Sequence, residues 1–278
     1  MEIQLIMLKF FENIRSDILT LVMTIITMMA EGLFIVGILA GLYWCIDKKA
    51  ATKLSWCVLF SLVGNGIVKN MVKMPRPFEV QDITPIRQET ATSYSFPSGH
   101  TQTATSFWTS AIIIIKTNPI KIVGTILVIL TAISRVYLGV HWPMDVIGGI
   151  AFGILLTLLA SKLLGENANI TMNHVVGTSI VLLTVMCLKV DADLYKSAAA
   201  LWGMSVGVYI EQNYINFIPY QIKRLQIKKA LIGVLGLIVI YIGISKLLPD
   251  IKIIDIIKYA LIMLWITAGA PYLFKKIK

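Results

Sequence analysis

Charge is scarce in this chain. Only 14% of its 278 residues are Asp, Glu, Lys or Arg, against 57% that are hydrophobic. A water-soluble domain carries about 25% charged residues, so the shortage excludes a chain surrounded by water and implies lipid around most of it. Cysteine is nearly absent as well. Cys45, Cys57 and Cys187 are odd in number, far apart and without a Cys-x2-Cys pair. That excludes a disulfide framework or a zinc site and leaves apolar packing as their use. Histidine is limited to His100, His141 and His174. Flexible Ser/Gly linkers, low-complexity tracts and internal repeats are missing too, so nothing marks a joint between domains. The start, Met1 to Phe11, carries Glu2 and Lys9 and lacks a small-residue cleavage site, so one of the spans is expected to direct membrane insertion.

Long apolar runs fill the space. A membrane-crossing helix needs about 20 apolar residues, and nine segments approach that: 30–46, 52–72, 98–115, 120–138, 143–164, 174–190, 194–210, 229–248 and 255–274. Residues 3–29 differ. Phe10, Phe11, Ile14, Ile18, Leu21, Val22 and Ile25 fall near helical spacing with Glu12, Arg15 and Asp17 between them, the pattern of an amphipathic helix lying in the membrane interface. The expected fold is therefore all-α: a polytopic transmembrane helical bundle of about nine spans plus an N-terminal interfacial helix.

The net charge of +10 is sorted by this threading. One face receives thirteen cations and three acids, among them Lys48, Lys49, Lys53, Lys116, Lys121 and Lys278. The other face takes twelve of each. The positive-inside rule puts the first face in the cytoplasm. Topology thus accounts for the basic character and leaves no role for nucleic acid. Glu211, Lys223, Arg224, Lys228 and Lys229 are expected in a solvated cytoplasmic loop, and His174 at a cytoplasmic helix end.

Three polar motifs interrupt the apolar background: Lys69-x6-Arg76-Pro77, Pro97-Ser98-Gly99-His100, and Ser134-Arg135-x5-His141-x3-Asp145. The threading carries all three to the neutral, extracytoplasmic face. Ionisable residues at membrane depth are functional candidates by default. Pro97 ends a loop and a helix begins behind it, offering unpaired N–H groups to an anion. Gly99 lets backbone approach closely, and Ser98 adds a hydroxyl, though an ordinary serine cap would look the same. Pro143 suits a first helical turn, which sets Asp145 near His141. A carboxylate on Nδ1–H fixes the tautomer and turns Nε2 outward as nucleophile or base; a satisfied interface histidine is the plain alternative. Arginine forks and a lysine point charge suit phosphate oxygens, and headgroup snorkelling would explain any one cation alone. Glu31, in the first span near the same face, either touches substrate or reaches interface water.

These eleven positions, in order, resemble the signature of the type 2 phosphatidic acid phosphatase superfamily, over roughly residues 30–165. The resemblance implies a helical bundle with its site near the membrane surface. It also implies roles: His141 attacks phosphorus and becomes a phosphohistidine, Asp145 orients it, and His100 protonates the leaving oxygen and then activates water. Lys69, Arg76, Ser98, Gly99 and Arg135 would bind phosphate oxygens, with Pro77, Pro97 and Ser134 structural. No metal or other cofactor is implied, and the acids near the site are too few for a two-metal centre.

The expected organisation is an interfacial segment over 1–29, a catalytic core over 30–165 and further transmembrane helices over 166–278. Gly203 and Gly207 have the spacing of close helix packing, compatible with a homodimer. The expected partner is the bilayer and a lipid phosphate drawn from it: phosphatidic acid, phosphatidylglycerol phosphate or a polyprenyl diphosphate, at the outer face of a bacterial cell membrane. A lipid phosphotransferase using the same residues, or a non-catalytic lipid-binding protein, are the alternatives.

Overall fold

The computed structural model describes residues 2–219, 223–249 and 251–276. Lys278, counted on the positive face, lies outside them. Every regular element among the described residues is helical: α1 (Glu2–Asn13), α2 (Asp17–Met28), α3 (Gly32–Cys45), α4 (Lys48–Val72), α5 (Pro77–Val80), α6 (Gly99–Ile115), α7 (Asn118–Tyr137), α8 (Pro143–Leu164), α9 (Met172–Cys187), α10 (Ala192–Ile210), α11 (Lys223–Leu247), α12 (Lys252–Leu264) and α13 (Ala270–Phe274). A helix stands at each of the nine predicted positions. Among the described residues five stretches are long and apolar enough to cross a membrane: Lys48–Val80, Asn118–Tyr137, Pro143–Leu164, Arg224–Leu247 and Lys252–Phe274. The pair α2 and α3, bent by 49°, makes a sixth if it is one broken span. The chain is a multi-pass membrane protein. The helices that fall short have physical reasons to do so. α9 has only 16 residues, and α6, with 17, buries Thr101, Gln102, Thr103, Thr105, Ser106 and Ser110, so its packed face is polar.

The N-terminal segment is two helices where the sequence suggested one. The chain breaks after Asn13, and Ser16 restarts it as the N-cap of α2, its hydroxyl accepting from Leu19 N. α1 exposes Ile3, Ile6 and Phe10 but buries Leu8, so its amphipathic character is real and its inner edge is docked.

The described residues form two compact units. One takes the chain up to Val36 together with Phe60–Ala160; the other takes Gly37–Leu59 together with everything from Ser161 on. In the first unit Leu8, Ile83, Ala132, Val136, Trp142 and Val146 form a buried cluster. Arg15 fastens α1 and α2 to it from outside: Nη2 donates to Tyr137 O at 3.0 Å and Nη1 to Thr84 O at 2.7 Å. α6 and α8 meet closely through Gly149 and Gly153. Among α6's polar residues, Gln102 Nε2 donates to Ser61 O (2.8 Å) and accepts, at Oε1, from Asn65 Nδ2 (2.8 Å). Polar side chains in lipid are held by partners on neighbouring helices, and this chain of amides and hydroxyls ties α4 to α6.

In the second unit α10 packs on α9 and α12. A β-carbon at Gly203 would strike Ala260, 2.9 Å from its Cα, and one at Gly207 would meet Thr267. The Gly-x3-Gly face is thus covered by the chain's own α12 and the π-helical turn Trp265–Gly269. That turn leaves the Ile266 and Thr267 carbonyls to Trp44 Nε1 (2.8 Å) and Tyr43 OH (3.2 Å). The solvated-loop expectation fails for two residues. Glu211 is buried, bonded to Lys48 Nζ at 2.8 Å and to Phe217 N at 3.0 Å. Lys229 is buried and donates to Ile218 O at 2.6 Å. Each is retained because its charge is paired or fully hydrogen-bonded. His174 accepts from Thr171 N at 3.1 Å, a helix-start contact. None of Cys45, Cys57 and Cys187 forms a disulfide.

Gly149 tests the closeness of α6 and α8. A β-carbon there would lie 2.9 Å from Ser98 O and 3.3 Å from Gln102 N, backbone atoms that cannot swing aside. Gly149→Val is expected to cost about 1–3 kcal/mol, read as a lower thermal midpoint in detergent. An unchanged midpoint would mean the contact is slack.

Candidate active site

The candidate residues all belong to the first unit. Lys69 stands in the last turn of α4, Arg76 is the N-cap of α5, and Ser98 is the N-cap of α6, followed by Gly99 and His100. Arg135 lies in the last turn of α7, His141 in the turn that follows, and Asp145 in the first turn of α8. Helix ends are where a buried segment must hand its unpaired backbone groups to side chains or ligands, and every motif sits at one.

The centre is His141. Its Nδ1 lies 3.2 Å from Asp145 Oδ2. The same oxygen accepts from Trp142 N at 2.8 Å and from Ser95 Oγ. Asp145 O in turn accepts from Ser98 N at 2.9 Å, which joins the second and third motifs. With Nδ1–H held by the carboxylate, Nε2 carries the lone pair, and it faces Arg76 Nη1 at 3.2 Å. Burial, and after it the charges of Arg76, Arg135 and Lys69, hold the pKa of His141 well below the ordinary histidine range. The ring is neutral, the state a nucleophile needs.

The cations are placed by groups outside the motifs. Ser93 serves two of them: its hydroxyl accepts from Lys69 Nζ at 2.6 Å and its carbonyl from Arg76 Nε at 2.8 Å. Arg76 Nη1 also donates to Val140 O at 2.8 Å. Arg135 is fully buried. It donates to Thr27 Oγ1 at 2.8 Å and to Thr90 Oγ1 at 3.4 Å, while its Nε has no hydrogen-bond partner. A buried guanidinium that meets hydroxyls and keeps a free donor is suited to an anion supplied from outside. A β-carbon on Gly99 would meet nothing nearer than Asn65 Oδ1 at 3.7 Å. The fold itself does not demand glycine there, and the missing side chain leaves open space at the start of α6.

His100 is brought to the cluster differently. Its Nε2 is 3.8 Å from Glu31 Oε1, and that oxygen is 2.8 Å from Arg87 Nη1. Glu31 thus turns Oε1 toward Arg87 and His100, with a quarter of its side chain still open. Sequence reasoning missed Ser93, Ser95, Thr27, Thr90 and Arg87. The hydroxyl run Thr92-Ser93-Tyr94-Ser95, just ahead of the second motif, was the available signal for the first two.

Two expectations follow. Ser95→Ala removes a donor from Asp145 and is expected to lower kcat by about 10- to 100-fold, the worth of a hydrogen bond to a charged group, with KM little changed; an equal rise in KM would argue against it. Protonating Nε2 removes the lone pair that a nucleophile would use, so rate is expected to be lost as pH falls through the His141 pKa. Because that pKa is lowered, the acid limb of kcat/KM is expected below the ordinary histidine range. Arg76→Gln, by removing a neighbouring positive charge, should move the limb to higher pH.

Comparison with known proteins finds relatives for both parts of the chain. The PAP2 superfamily model matches residues 50–168, and a second model, the transmembrane extension of PAP2 superfamily phosphatases, matches 195–278. The chain is 33% identical to the undecaprenyl-diphosphatase of Sulfolobus acidocaldarius over 118 residues, 42% of this chain and 56% of that one. It spans little more than half of that relative. It is 32% identical to phosphatidylglycerophosphatase B of Bacillus subtilis over 161 residues, 52% of this chain and 75% of that one. Among solved structures, a transmembrane PAP2 type phosphatidylglycerolphosphate phosphatase from Bacillus subtilis matches with a TM-score of 0.50 at 27% identity, covering 58% of this chain and 84% of that one.

Proposed function

The chain belongs to the PAP2 superfamily, and from that premise we propose that it is a metal-independent lipid phosphatase working through a phosphohistidine. The observation that carries the proposal is His141, its Nδ1 held by Asp145 and its Nε2 facing Arg76, in one cluster with a buried Arg135 that keeps a free donor.

The steps follow from the positions of the groups. A phosphate enters among Lys69, Arg76, Arg135 and the open N-terminal turn of α6, with Ser98 and Gly99. Arg76 transfers its Nη1 hydrogen bond from His141 Nε2 to a phosphate oxygen and uncovers the lone pair. Nε2 forms a bond to phosphorus while the bond to the leaving oxygen breaks, and His100 gives that oxygen its proton. Asp145 stabilises the positive ring so formed. His100 then takes a proton from water, which attacks phosphorus and releases inorganic phosphate. Splitting one displacement into two lowers each barrier, and preorganised donors stabilise charge as it develops, each worth about 2.7–4 kcal/mol by analogy with oxyanion holes.

The substrate is a lipid phosphate monoester or diphosphate. The site is assigned to the extracytoplasmic side of a bacterial cell membrane, because the positive-inside rule puts the basic loops on the opposite side. In this reading the nine predicted helices, short ones included, make up the membrane body. Residues 1–29 lie along its interface, 30–165 form the catalytic core, and 166–278 add helices to it.

The test is phosphate release in detergent micelles from phosphatidic acid, phosphatidylglycerol phosphate, a polyprenyl diphosphate and a soluble ester. His141→Ala is expected to reduce release by at least about a thousandfold with folding intact, and EDTA to leave it unchanged. A retained rate in the variant would overturn the covalent scheme. Phosphate appearing on a second lipid and not in solution would indicate a phosphotransferase.

A further inference from the structure

Arg87 and Glu31 lie outside the three motifs, yet they stand at the side of the site marked by His100. Glu31 occupies the bend between α2 and α3, where the helical pattern lapses at residues 29–31. Arg87 has a left-handed backbone (φ 61°, ψ 44°) and opens the short 3-10 turn Gln88–Thr90. Thr90 of that turn donates to Arg87 O at 2.9 Å and accepts from Arg135 Nη2 at 3.4 Å. One turn thus presents a new cation and braces a motif arginine.

The three facing atoms are close but poorly matched. Glu31 Oε1 is 2.8 Å from Arg87 Nη1 and 3.8 Å from His100 Nε2. All three atoms are buried, and none has a hydrogen bond of acceptable geometry. The side chains are nonetheless partly open, Arg87 at 21%, Glu31 at 25% and His100 at 16%, so the place can be entered. Glu31 Oε1 lies between the cation and the histidine, and Arg87 Nε has a second carboxylate oxygen, Glu89 Oε1, at 3.5 Å.

We propose that Arg87, kept in place by Glu31 beside His100, receives the leaving-side phosphate of a lipid diphosphate. The inference rests on the phosphatase reading above. Displacement at phosphorus is in line, so the leaving oxygen lies opposite His141, on the His100 side. With the monoester of a neutral alcohol, such as a polyprenyl monophosphate, what leaves there is uncharged once His100 has protonated it. With a diphosphate, the bond between the terminal phosphorus and the bridging oxygen breaks. The electron pair stays on that oxygen, His100 supplies a proton, and the departing lipid monophosphate still carries one negative charge shared over two oxygens. Only the second case places anionic oxygens where Arg87 stands. A guanidinium fork matches two phosphate oxygens and takes over from the mismatched Glu31 contact. Glu31 is then left to His100 as a positioning residue. Water next cleaves the phosphohistidine, so that lipid diphosphate and water give lipid monophosphate and inorganic phosphate.

The experiment compares one polyprenyl chain as its monophosphate and its diphosphate, with the full-length protein in micelles. Arg87→Gln is expected to lower kcat/KM for the diphosphate by about 10- to 100-fold, the worth of a charged hydrogen bond. For the monophosphate the expected change is less than about threefold. Arg87→Lys should recover part of the loss, since lysine restores charge without the fork. Equal losses on both lipids, or none on the diphosphate, overturn the proposal. A second measurement needs no variant: methylenediphosphonate should inhibit the wild type more strongly than inorganic phosphate, and equal inhibition also overturns it. Failure of the phosphatase reading looks different, as absence of His141-dependent release from either lipid.

Discussion

Placing several cations in a low-dielectric pocket without a matching set of carboxylates is the constraint on which the first unit depends. A buried charge is tolerated only when paired or hydrogen-bonded, and here the compensation comes largely from neutral oxygens. Ser93 supplies a hydroxyl to Lys69 and a carbonyl to Arg76, Val140 supplies a carbonyl, and Thr27 and Thr90 supply hydroxyls to Arg135. Neutral acceptors hold a guanidinium in position without cancelling its field. The positive potential is left for an anion, and after burial it is what holds the His141 pKa down. An attracting field and a lowered histidine pKa thus come in part from one choice of partners.

The loop between α4 and α6 is where that choice is made. It passes Ser93 under two cations, brings Ser95 to Asp145, and turns at the cis Phe96–Pro97 bond into the helix that opens with Ser98. α1 and α2 hold the loop from outside through Arg15 on Thr84 O and Glu12 on Thr84 N. The interior beneath is tied by Asn65, Gln102 and Ser61. Rigidity at the site is therefore imported from both sides, by surface helices above and by a polar seam within the helices below.

Much of this was legible in the sequence. Helix positions followed from apolar run length, and α8 begins at Pro143 as its proline suggested. His141 and Asp145 were legible as a pair because their spacing is local, four positions across one turn. Thr27 and Arg135 were not: they are 108 residues apart, and a threonine in an apolar segment has no signature of its own. Span number was less legible than helix position, since α6 trades apolar length for a polar packing face. Glu211 and Lys229 were misplaced for another reason. A run of charges near a helix end usually faces water, and only tertiary contact, with Lys48 for the one and backbone carbonyls for the other, shows these two turned inward.

The segment that matches the superfamily model starts at residue 50, yet Thr27 beneath Arg135, Arg15 over the loop and Glu31 beside His100 all precede it. The inherited signature and the working pocket have different borders. A chimera that transplanted residues 50–168 onto another membrane scaffold would carry every signature residue and leave behind the first turns of support around them. For this chain the unit of modular exchange begins with α1.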